Sequence, residues 1–279
     1  MRGQHPVRRL CELLQVSASG YYDWRRRQPS ARQRQDAILA VQVAEVHQRS
    51  RRAYGAPRIV LELRESGTRI SRRRCARLMR EQDLRGRKRR RWRPQTTDSG
   101  HGRKPAPNRL HVQARPSGPN QVWVTDITYV RTAAGWLYLS VILDLWSRRV
   151  IGWATATSLH ADLALAALRQ ALLQRAVTAG LIHHSDRGSQ YVDQDYVQLL
   201  ALRGIERSMS RAGNCYDNAV IESFWATLKT ETGLLDQIPA SFAEADLAVF
   251  DYIETFYNPT RRHTSLGGYS PVAFETKIN

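Results

Sequence analysis

Three acidic residues, Asp126, Asp186 and Glu222, stand in sequence contexts that favour chemistry over ordinary surface charge. Asp126 interrupts a β-branched and aromatic run, residues 122–130, where a carboxylate fits poorly unless a counter-charge is present. Asp186 follows the short apolar run 181–182 and two histidines, so we expect it just past the carboxyl end of a strand, where open α/β sheets place functional groups. Glu222 belongs to a predicted helix. Together the three carboxylates predict a two-metal nucleic-acid active site.

The predicted helix over residues 217–229 places Glu222 beside an apolar face. At about 100° of rotation per residue, one stripe of the helix is formed by Ile221, Phe224, Trp225 and Leu228. Asn218, Glu222 and Lys229 fall in a narrow row along the edge of that stripe, which borders the core and reaches a cleft. Lys229 would otherwise be an ordinary solvated lysine. Asn218, one turn before Glu222, either orients its carboxylate or satisfies backbone groups at the helix start.

Other polar residues near the three acids have two interpretations each. Asp144 follows an apolar strand and is either a fourth acid or, as we favour, a turn-capping Asp. His183 and His184 should point to opposite faces of their strand, and packing around the site is favoured over direct metal ligation. Near the carboxyl terminus, Arg262 and His263 either contact DNA or cap a loop.

Charge is distributed unevenly along the 279 residues. Residues 1–118 carry 30 Lys and Arg against 9 Asp and Glu, a net charge of +21, whereas residues 119–279 carry 13 against 16, a net charge of −3. The first half therefore resembles a polyanion-binding arm, and the second half holds the candidate metal site. A merely solvated basic surface is the less favoured alternative.

The cysteines and the hydropathy pattern limit the class of protein. Cys11, Cys75 and Cys215 are far apart and form no Cys-x-x-Cys pair, so neither a disulfide framework nor a structural zinc site is indicated. The amino terminus has no secretory signal pattern, and no apolar run is long enough to span a membrane. We therefore expect a soluble protein of a reducing cytosol.

The sequence of the basic half, residues 1–118, predicts short helices separated by turns. Residues 1–30 predict a helix-turn-helix segment with Ser17 as an N-cap, although such helix pairs are also common as plain packing units. Residues 31–93 predict a basic helical DNA-binding domain with helices over 36–47, 57–64 and 72–82. In the last helix the candidate DNA-binding residues are Arg72, Arg73, Arg74 and Arg77. The basic stretch that follows is either a phosphate-contacting tail or a disordered one.

The second half predicts a different architecture. Residues 94–118, rich in Pro, Gly, Asn and Ser, predict a linker. Residues 119–279 then begin with three strands, over 122–130, 136–145 and 149–155, and continue with alternating helices and short strands up to the Glu222 helix. This order predicts an α/β fold: a ribonuclease H-like mixed-sheet catalytic domain preceded by an all-α, helix-turn-helix DNA-binding region.

Several motifs carry a resemblance to a known family. They are Trp-Val-Thr-Asp-Ile-Thr-Tyr at 123–129, His-His-Ser-Asp-Arg-Gly-Ser-Gln-Tyr at 183–191, and Asn-x-Tyr-Asp-Asn-Ala-x-x-Glu-Ser-Phe at 214–224. These residues closely resemble the OrfB-type transposases of bacterial insertion sequences, members of the DDE superfamily with a retroviral-integrase-like core. The similarity also includes segments at residues 19–22, 54–58 and 257–267, so the resemblance covers most of the chain.

The resemblance implies a metal-dependent DNA transposase that cleaves insertion-sequence ends and transfers the 3′-hydroxyl into target DNA. It implies Asp126, Asp186 and Glu222 as ligands of two Mg²⁺ ions, for which Mn²⁺ can substitute, and Lys229 as a DNA contact near the scissile phosphate. The implied partners are double-stranded DNA, further copies of the chain on that DNA, and a small OrfA protein, separate or fused. The implied location is the bacterial cytosol, at the nucleoid.

Two other classes of function are compatible with parts of the sequence. A DNA-binding regulator with a decayed catalytic domain is disfavoured because all three acids are intact. A nuclease acting on RNA–DNA hybrids or junctions could use the same fold, but the large basic front half exceeds what such an enzyme needs.

Overall fold

The computed structural model describes residues 6–87, 105–110, 115–177, 179–211 and 219–278. The chain divides into two compact units. The helical unit comprises Met1–Arg49 and Gly55–Arg85, and the sheet unit comprises Ser50–Tyr54 and Gly86–Asn279. None of the described helices combines the length and the apolar character that crossing a membrane requires.

The described residues of the helical unit form five helices: α1 (Val7–Leu13), α2 (Ala18–Arg26), α3 (Ala31–Arg49), α4 (Ala56–Glu65) and α5 (Arg72–Glu81). The predicted cap at Ser17 is confirmed, because its side chain accepts a hydrogen bond from the Gly20 amide, and Ser71 caps α5 by accepting one from the Arg74 amide. α3 begins earlier than predicted, since its first turns are rich in Arg and Gln, which favour helix. The core of the unit is built from one face each of α3, α4 and α5, including Leu39, Val43, Val46, Ile59, Leu63, Cys75, Leu78 and Met79.

The sheet unit contains five strands: β1 (Val122–Thr132), β2 (Gly135–Asp144), β3 (Val150–Ala156), β4 (Ile182–Ser185) and β5 (Glu206–Met209). Their order in the sheet is β3-β2-β1-β4-β5. The first three strands along the chain pair antiparallel, whereas β1 pairs parallel with β4, and β4 with β5. The predicted mixed sheet is therefore confirmed, and β1 lies at its centre.

The remaining helices cover both faces of this sheet. They are α6 (Ala161–Gln174), α7 (Gln194–Leu202), α8 (Ala219–Thr232), α9 (Phe242–Phe250), which continues as a π-helical segment (Asp251–Tyr257), and α10 (Pro271–Ile278). Trp123 of β1 packs in the large core with α6 and α7, while Val130 packs against Ala245 of α9. Because side chains alternate along a strand, Asp126 shares the face of Val130. That face is the one covered by α8 and α9.

Part of the predicted linker lies along the edge strand β5. The Ala106 amide donates to the sulfur of Met209 at 3.4 Å, and the Arg109 amide donates to the hydroxyl of Ser208 at 2.9 Å. Arg109 also forms an ion pair with Glu206. Residues 105–110 thus shield a strand edge that would otherwise be open for pairing. The parts of the predicted linker at 94–104 and 111–114 lie outside the described residues.

Gly152 of β3 marks the closest approach of the sheet to α6. A Cβ atom at this position would overlap the carbonyl oxygen of Ala167 and lie 2.8 Å from the backbone nitrogen of Ala171. We expect Gly152→Ala to lower the free energy of unfolding by about 3 kcal/mol, because helix backbone must move to admit the methyl group. Urea denaturation measures this change.

Gly118→Ala is the matched control for this substitution. Its nearest new neighbour would be the end of the Gln121 side chain at 3.4 Å, which can move aside. We expect that variant to change stability by less than about 1 kcal/mol. Equal denaturation midpoints for the two variants would contradict the close approach at Gly152.

Candidate active site

The parallel pairing of β1 with β4 brings Asp126 and Asp186 together. The last pair in this ladder is Val124 opposite His184, and each acid follows its member of the pair by two residues. The two residues therefore lie on neighbouring backbone segments where β4 ends and β1 continues, and the charge of Asp186 acts on Asp126. Both side chains are half-buried. Asp186 is held in a tight turn, since its Oδ1 accepts a hydrogen bond from the Gly188 amide at 2.9 Å.

One face of α8 is directed at Asp126. The indole Nε1–H of Trp225 donates to Oδ2 of Asp126 at 2.8 Å. Glu222, three residues earlier, is exposed in the first turn of the helix, and Lys229, four residues later, is buried. The charges of Glu222 and Lys229 both act on Asp126. The predicted apolar stripe of α8 is confirmed as buried. Lys229, which was predicted at the edge of that stripe, is buried as well.

The electrostatics of the site centre on Asp126. Burial of its carboxyl and the negative charge of Asp186 raise the pKa of Asp126 to about 7, and the charge of Glu222 acts in the same direction. The hydrogen bond from Trp225 opposes this rise. Burial lowers the pKa of Lys229 to about 8, while the negative charge of Asp126 favours its protonated form. The negative charges of Asp186 and Glu222 therefore act on an Asp126 carboxyl that is shielded from water.

The acids form a suitable donor set for a divalent cation, although they are not gathered into a closed cage. Within the described stretches of the chain, no three His, Cys, Asp or Glu side chains are close enough together to hold one metal ion. Carboxylate oxygens are nevertheless the ligands that Mg²⁺ prefers. The raised pKa of Asp126 reflects burial and repulsion among carboxylates that a bound cation would relieve. Asp126, Asp186 and Glu222 are the residues that could hold it.

Tyr191, a residue of the core cluster that contains Trp123, lies within electrostatic reach of the two aspartates and was not singled out from the sequence. Its side chain is buried, and burial together with the charges of Asp126 and Asp186 raises the pKa of its phenol. The Thr125 hydroxyl is nearby, yet the Tyr191 hydroxyl makes no hydrogen bond of ordinary geometry to any described residue. A buried polar atom without a partner is uncommon, and here it adjoins the acids. Its place five residues after Asp186 was the available sequence signal.

The two histidines before Asp186 are core residues. Nε2 of His183 is 2.6 Å from the hydroxyl of Tyr196, and the two ring nitrogens of His184 contact the hydroxyls of Ser208 and Ser210 at 2.8 and 3.1 Å. Burial lowers the pKa of His183 to about 3, so its ring is neutral. The favoured interpretation, packing around the site, is confirmed.

Asp144 caps a turn, as predicted. Its Oδ1 accepts hydrogen bonds from the amides of Trp146 and Ser147 at 3.0 and 2.9 Å, and its Oδ2 accepts one from the Asn120 amide at 2.7 Å. Its carboxyl is fully buried by these contacts. Asp144 therefore stabilises this turn and is not part of the candidate site.

The carboxyl-terminal motif anchors the far end of α8. Arg261 donates to both oxygens of Glu231 at 2.7 and 2.8 Å, and the Tyr252 hydroxyl donates to the same carboxylate at 2.8 Å. Arg262 donates to the carbonyl of Gly268 at 3.0 Å, which supports the loop-capping interpretation of this residue. His263 packs edge-on against the ring of Tyr257.

The four candidate DNA-binding arginines of α5 differ in their surroundings. Arg72 and Arg73 are exposed. Arg74 and Arg77 each donate to a carboxylate oxygen of Asp36 in α3 at 2.6 Å. These two guanidinium groups therefore join helices within the unit, and DNA binding by all four remains a prediction. Asn218 and the basic stretch at 88–93 lie outside the described residues.

Comparison with known proteins gives matches along nearly the whole chain. The HTH-like domain family matches residues 33–92, and integrase core domain families match residues 116–215 and 203–271. The insertion element IS600 uncharacterized 31 kDa protein of Shigella sonnei is 45% identical over 270 residues, 97% of this chain and 98% of that protein. Transposase InsF for insertion sequence IS3A of Escherichia coli (strain K12) is 41% identical over 278 residues, 99% and 96% of the two chains.

Among solved structures, the HTLV-2 integrase catalytic core domain in complex with magnesium (trimeric form) aligns with a TM-score of 0.47 at 19% identity. The alignment covers 58% of this chain and 99% of that one.

Proposed function

The chain belongs to the family of insertion-sequence transposases that includes InsF of IS3, and from this membership we propose that it is a metal-dependent DNA transposase. It hydrolyses the phosphodiester at the 3′ ends of its own insertion element and joins each freed 3′-hydroxyl to target DNA. One observation supports the assignment of the site: Asp126 in β1 and Asp186 just after β4 each follow the paired residues Val124 and His184 by two positions, and the charges of Asp186 and Glu222 both act on the Asp126 carboxylate.

Asp126, Asp186 and Glu222 would hold the metal. Two Mg²⁺ ions, or Mn²⁺ in their place, would activate an attacking oxygen and stabilise the leaving one. Asp126 would contribute most to holding the metal, because the charges of both Asp186 and Glu222 act on its carboxylate. In the first step water adds to phosphorus and the bond to the 3′-oxygen breaks. In the second step that 3′-hydroxyl attacks a target phosphodiester, the bond from phosphorus to the target's own 3′-oxygen breaks, and a target 3′-hydroxyl leaves. No covalent bond to the protein forms.

Residues 1–118 bind the DNA. Their net charge of +21 supplies the cations that displace counterions from phosphate, whereas residues 119–279 have a net charge of −3. The domains in this proposal are a helix-turn-helix segment at 1–30, a basic helical domain at 31–93, a linker at 94–118 and the catalytic domain at 119–279. Two element ends must be joined in concert, so the chain acts as an oligomer on DNA, with an OrfA-type partner contributing to end recognition.

A strand-transfer assay tests the proposal. The purified chain is incubated with Mg²⁺, a labelled duplex ending in the element's own terminal sequence, and a plasmid target. Labelled DNA covalently joined to the plasmid is the expected product, and it requires the correct terminal sequence. Degradation of an RNA–DNA hybrid without any joining would instead favour the nuclease alternative.

Lys229 is proposed to contact the DNA phosphate that reaches the acids. Its ammonium is buried within electrostatic reach of Asp126, so a scissile phosphate brought to Asp126 would also come near Lys229. We expect Lys229→Ala to weaken productive binding of element ends about tenfold, the cost of one charge-assisted hydrogen bond. Mg²⁺ affinity, measured by calorimetry, should not fall.

Two further variants complete this test. Lys229→Met keeps most of the buried side-chain volume and should behave like Lys229→Ala. Lys277→Ala removes an exposed lysine of the same unit and should leave end binding unchanged. A loss of Mg²⁺ affinity at Lys229 as large as that of Asp126→Asn would make Lys229 part of the metal site and contradict its assignment to DNA.

A further inference from the structure

We propose that Trp225 is a positioning residue of the active site, which orients the Asp126 carboxylate and fixes the register of α8 against β1. The inference rests on the proposed function, because it takes Asp126 and Glu222 to serve one metal site. Sequence patterning assigns Trp225 only to the apolar stripe of α8, and its hydrogen bond to Asp126 gives it a second role.

The contact itself is well suited to orientation. An indole has a single N–H donor on a rigid ring, and in Trp225 this donor lies 2.8 Å from Oδ2 of Asp126. The ring is 6% exposed and packs against Phe224, with 5.1 Å between ring centroids. A hydrogen bond to a carboxylate in such surroundings is stronger than one in water. It therefore restrains the rotation of the Asp126 side chain.

The position of Trp225 within α8 extends this effect to Glu222 and Lys229. Residues three or four apart lie above one another on a helix, so Glu222, Trp225 and Lys229 form one row. Fixing the middle member against the central strand β1 sets the rotation of the helix for the other two. Glu222 depends on this restraint most, since it lies in the first turn, where the backbone amides have no helical partners.

A second anchor holds the other end of the same helix. Glu231, six residues after Trp225, accepts two hydrogen bonds from Arg261. α8 is thus held at its end by an ion pair and at its middle by the indole of Trp225. Loss of the Trp225 hydrogen bond would remove the polar restraint between α8 and β1, while the ion pair would still hold the Glu231 end.

The chain contains a matched control for a tryptophan–carboxylate hydrogen bond. Nε1 of Trp153 in β3 donates to Oε1 of Glu254 at 2.8 Å, in the same unit and at the same length as the Trp225 contact. Neither Trp153 nor Glu254 is among the proposed metal ligands. Trp153→Phe and Trp225→Phe therefore remove equivalent bonds, and only the second touches Asp126.

Mn²⁺ binding to the full chain without DNA, measured by calorimetry, tests the proposal. We expect Trp225→Phe to weaken Mn²⁺ binding by about 10- to 100-fold, the usual effect of removing a group that orients a metal ligand. Trp153→Phe should bind Mn²⁺ like the unmodified chain, and Asp126→Asn should not bind it measurably. Cleavage by Trp225→Phe should recover at saturating Mn²⁺, because its ligands are all present.

Phe224→Leu separates positioning from folding. It disturbs the packing of α8 beside Trp225 but leaves the indole donor in place. Two results would overturn the positioning role but leave the proposed metal site in place. One is that Phe224→Leu weakens Mn²⁺ binding as much as Trp225→Phe does. The other is that Trp225→Phe binds Mn²⁺ normally while Asp126→Asn does not. Normal Mn²⁺ binding by Asp126→Asn would instead overturn the proposed site itself, and the positioning role with it.

Discussion

Asp126→Asn, Asp186→Asn and Glu222→Gln are each expected to abolish strand transfer, with losses of at least about a thousandfold, while duplex DNA binding stays within about twofold of the unmodified chain. Each change keeps the size of the side chain and removes one negative charge from the site. The carboxylates would hold metal rather than phosphate, so their loss should stop the chemistry without releasing the DNA. Joining of labelled ends to a plasmid, together with filter binding of the same ends, measures both quantities.

Asp162→Asn is the control for these three variants. Asp162 is an exposed aspartate in the first turn of α6, within the same unit, and its replacement should leave strand transfer unchanged. The three losses should not add in double variants, because the carboxylates act as one unit. Strand transfer at more than about a tenth of the normal rate in any single variant would remove that residue from the site.

The outcome at β1 and β4 shows what sequence patterning can and cannot supply. An aspartate inside an apolar strand and another just after a short strand can both be recognised from residue types alone. Their adjacency requires the parallel register of β1 with β4, with Val124 opposite His184, and nothing in either segment encodes which partner strand it meets. Fold class and the candidate acids were therefore predictable, whereas their pairing came from the three-dimensional structure.

Long-range partners explain the other differences. A helical wheel shows that Arg74 and Arg77 point away from the apolar face of α5. It cannot show that both guanidinium groups donate hydrogen bonds to Asp36, about forty residues earlier in the chain. The same limit applies to Trp225, which patterning treats as one more apolar residue. The helices after residue 232 were not assigned from the sequence, although Ser241, which accepts a hydrogen bond from the Glu244 amide, gives α9 a capping signal at its start. Its continuation as a π-helical segment has no such signal.

DNA affinity is expected to reside in the basic half of the chain. A fragment of residues 1–118 should bind duplex DNA nearly as well as the full chain, whereas residues 105–279 should bind at least about a thousandfold more weakly at 0.15 M salt, the loss typical of removing six or more phosphate contacts. The second fragment starts at 105 so that the segment covering β5 is kept. It carries 15 Lys and Arg against 16 Asp and Glu, leaving almost no net charge to attract phosphate.

The second fragment also lacks Ser50–Tyr54, which belongs to the sheet unit. Tyr54 is 1% exposed, and Arg51 pairs with Asp251 at 2.7 Å, so their loss should lower the stability of the fragment. Circular dichroism must therefore show that it is folded before its DNA binding is compared. A cleaner comparison uses the full chain and separates the exposed arginines of α5 from the paired ones.

In the full chain, replacing Arg72 and Arg73 with Ala should reduce the slope of log affinity against log salt by about two units, one for each phosphate that an arginine no longer neutralises, with no change in stability. Replacing Arg74 and Arg77 should instead destabilise the helical unit, because Asp36 is then left without its two partners. If the first pair left the salt slope unchanged, or if residues 105–279 bound element ends as tightly as the full chain, the basic half would not carry DNA recognition. End binding would then have to reside within residues 105–279, which carry almost no net charge to attract DNA.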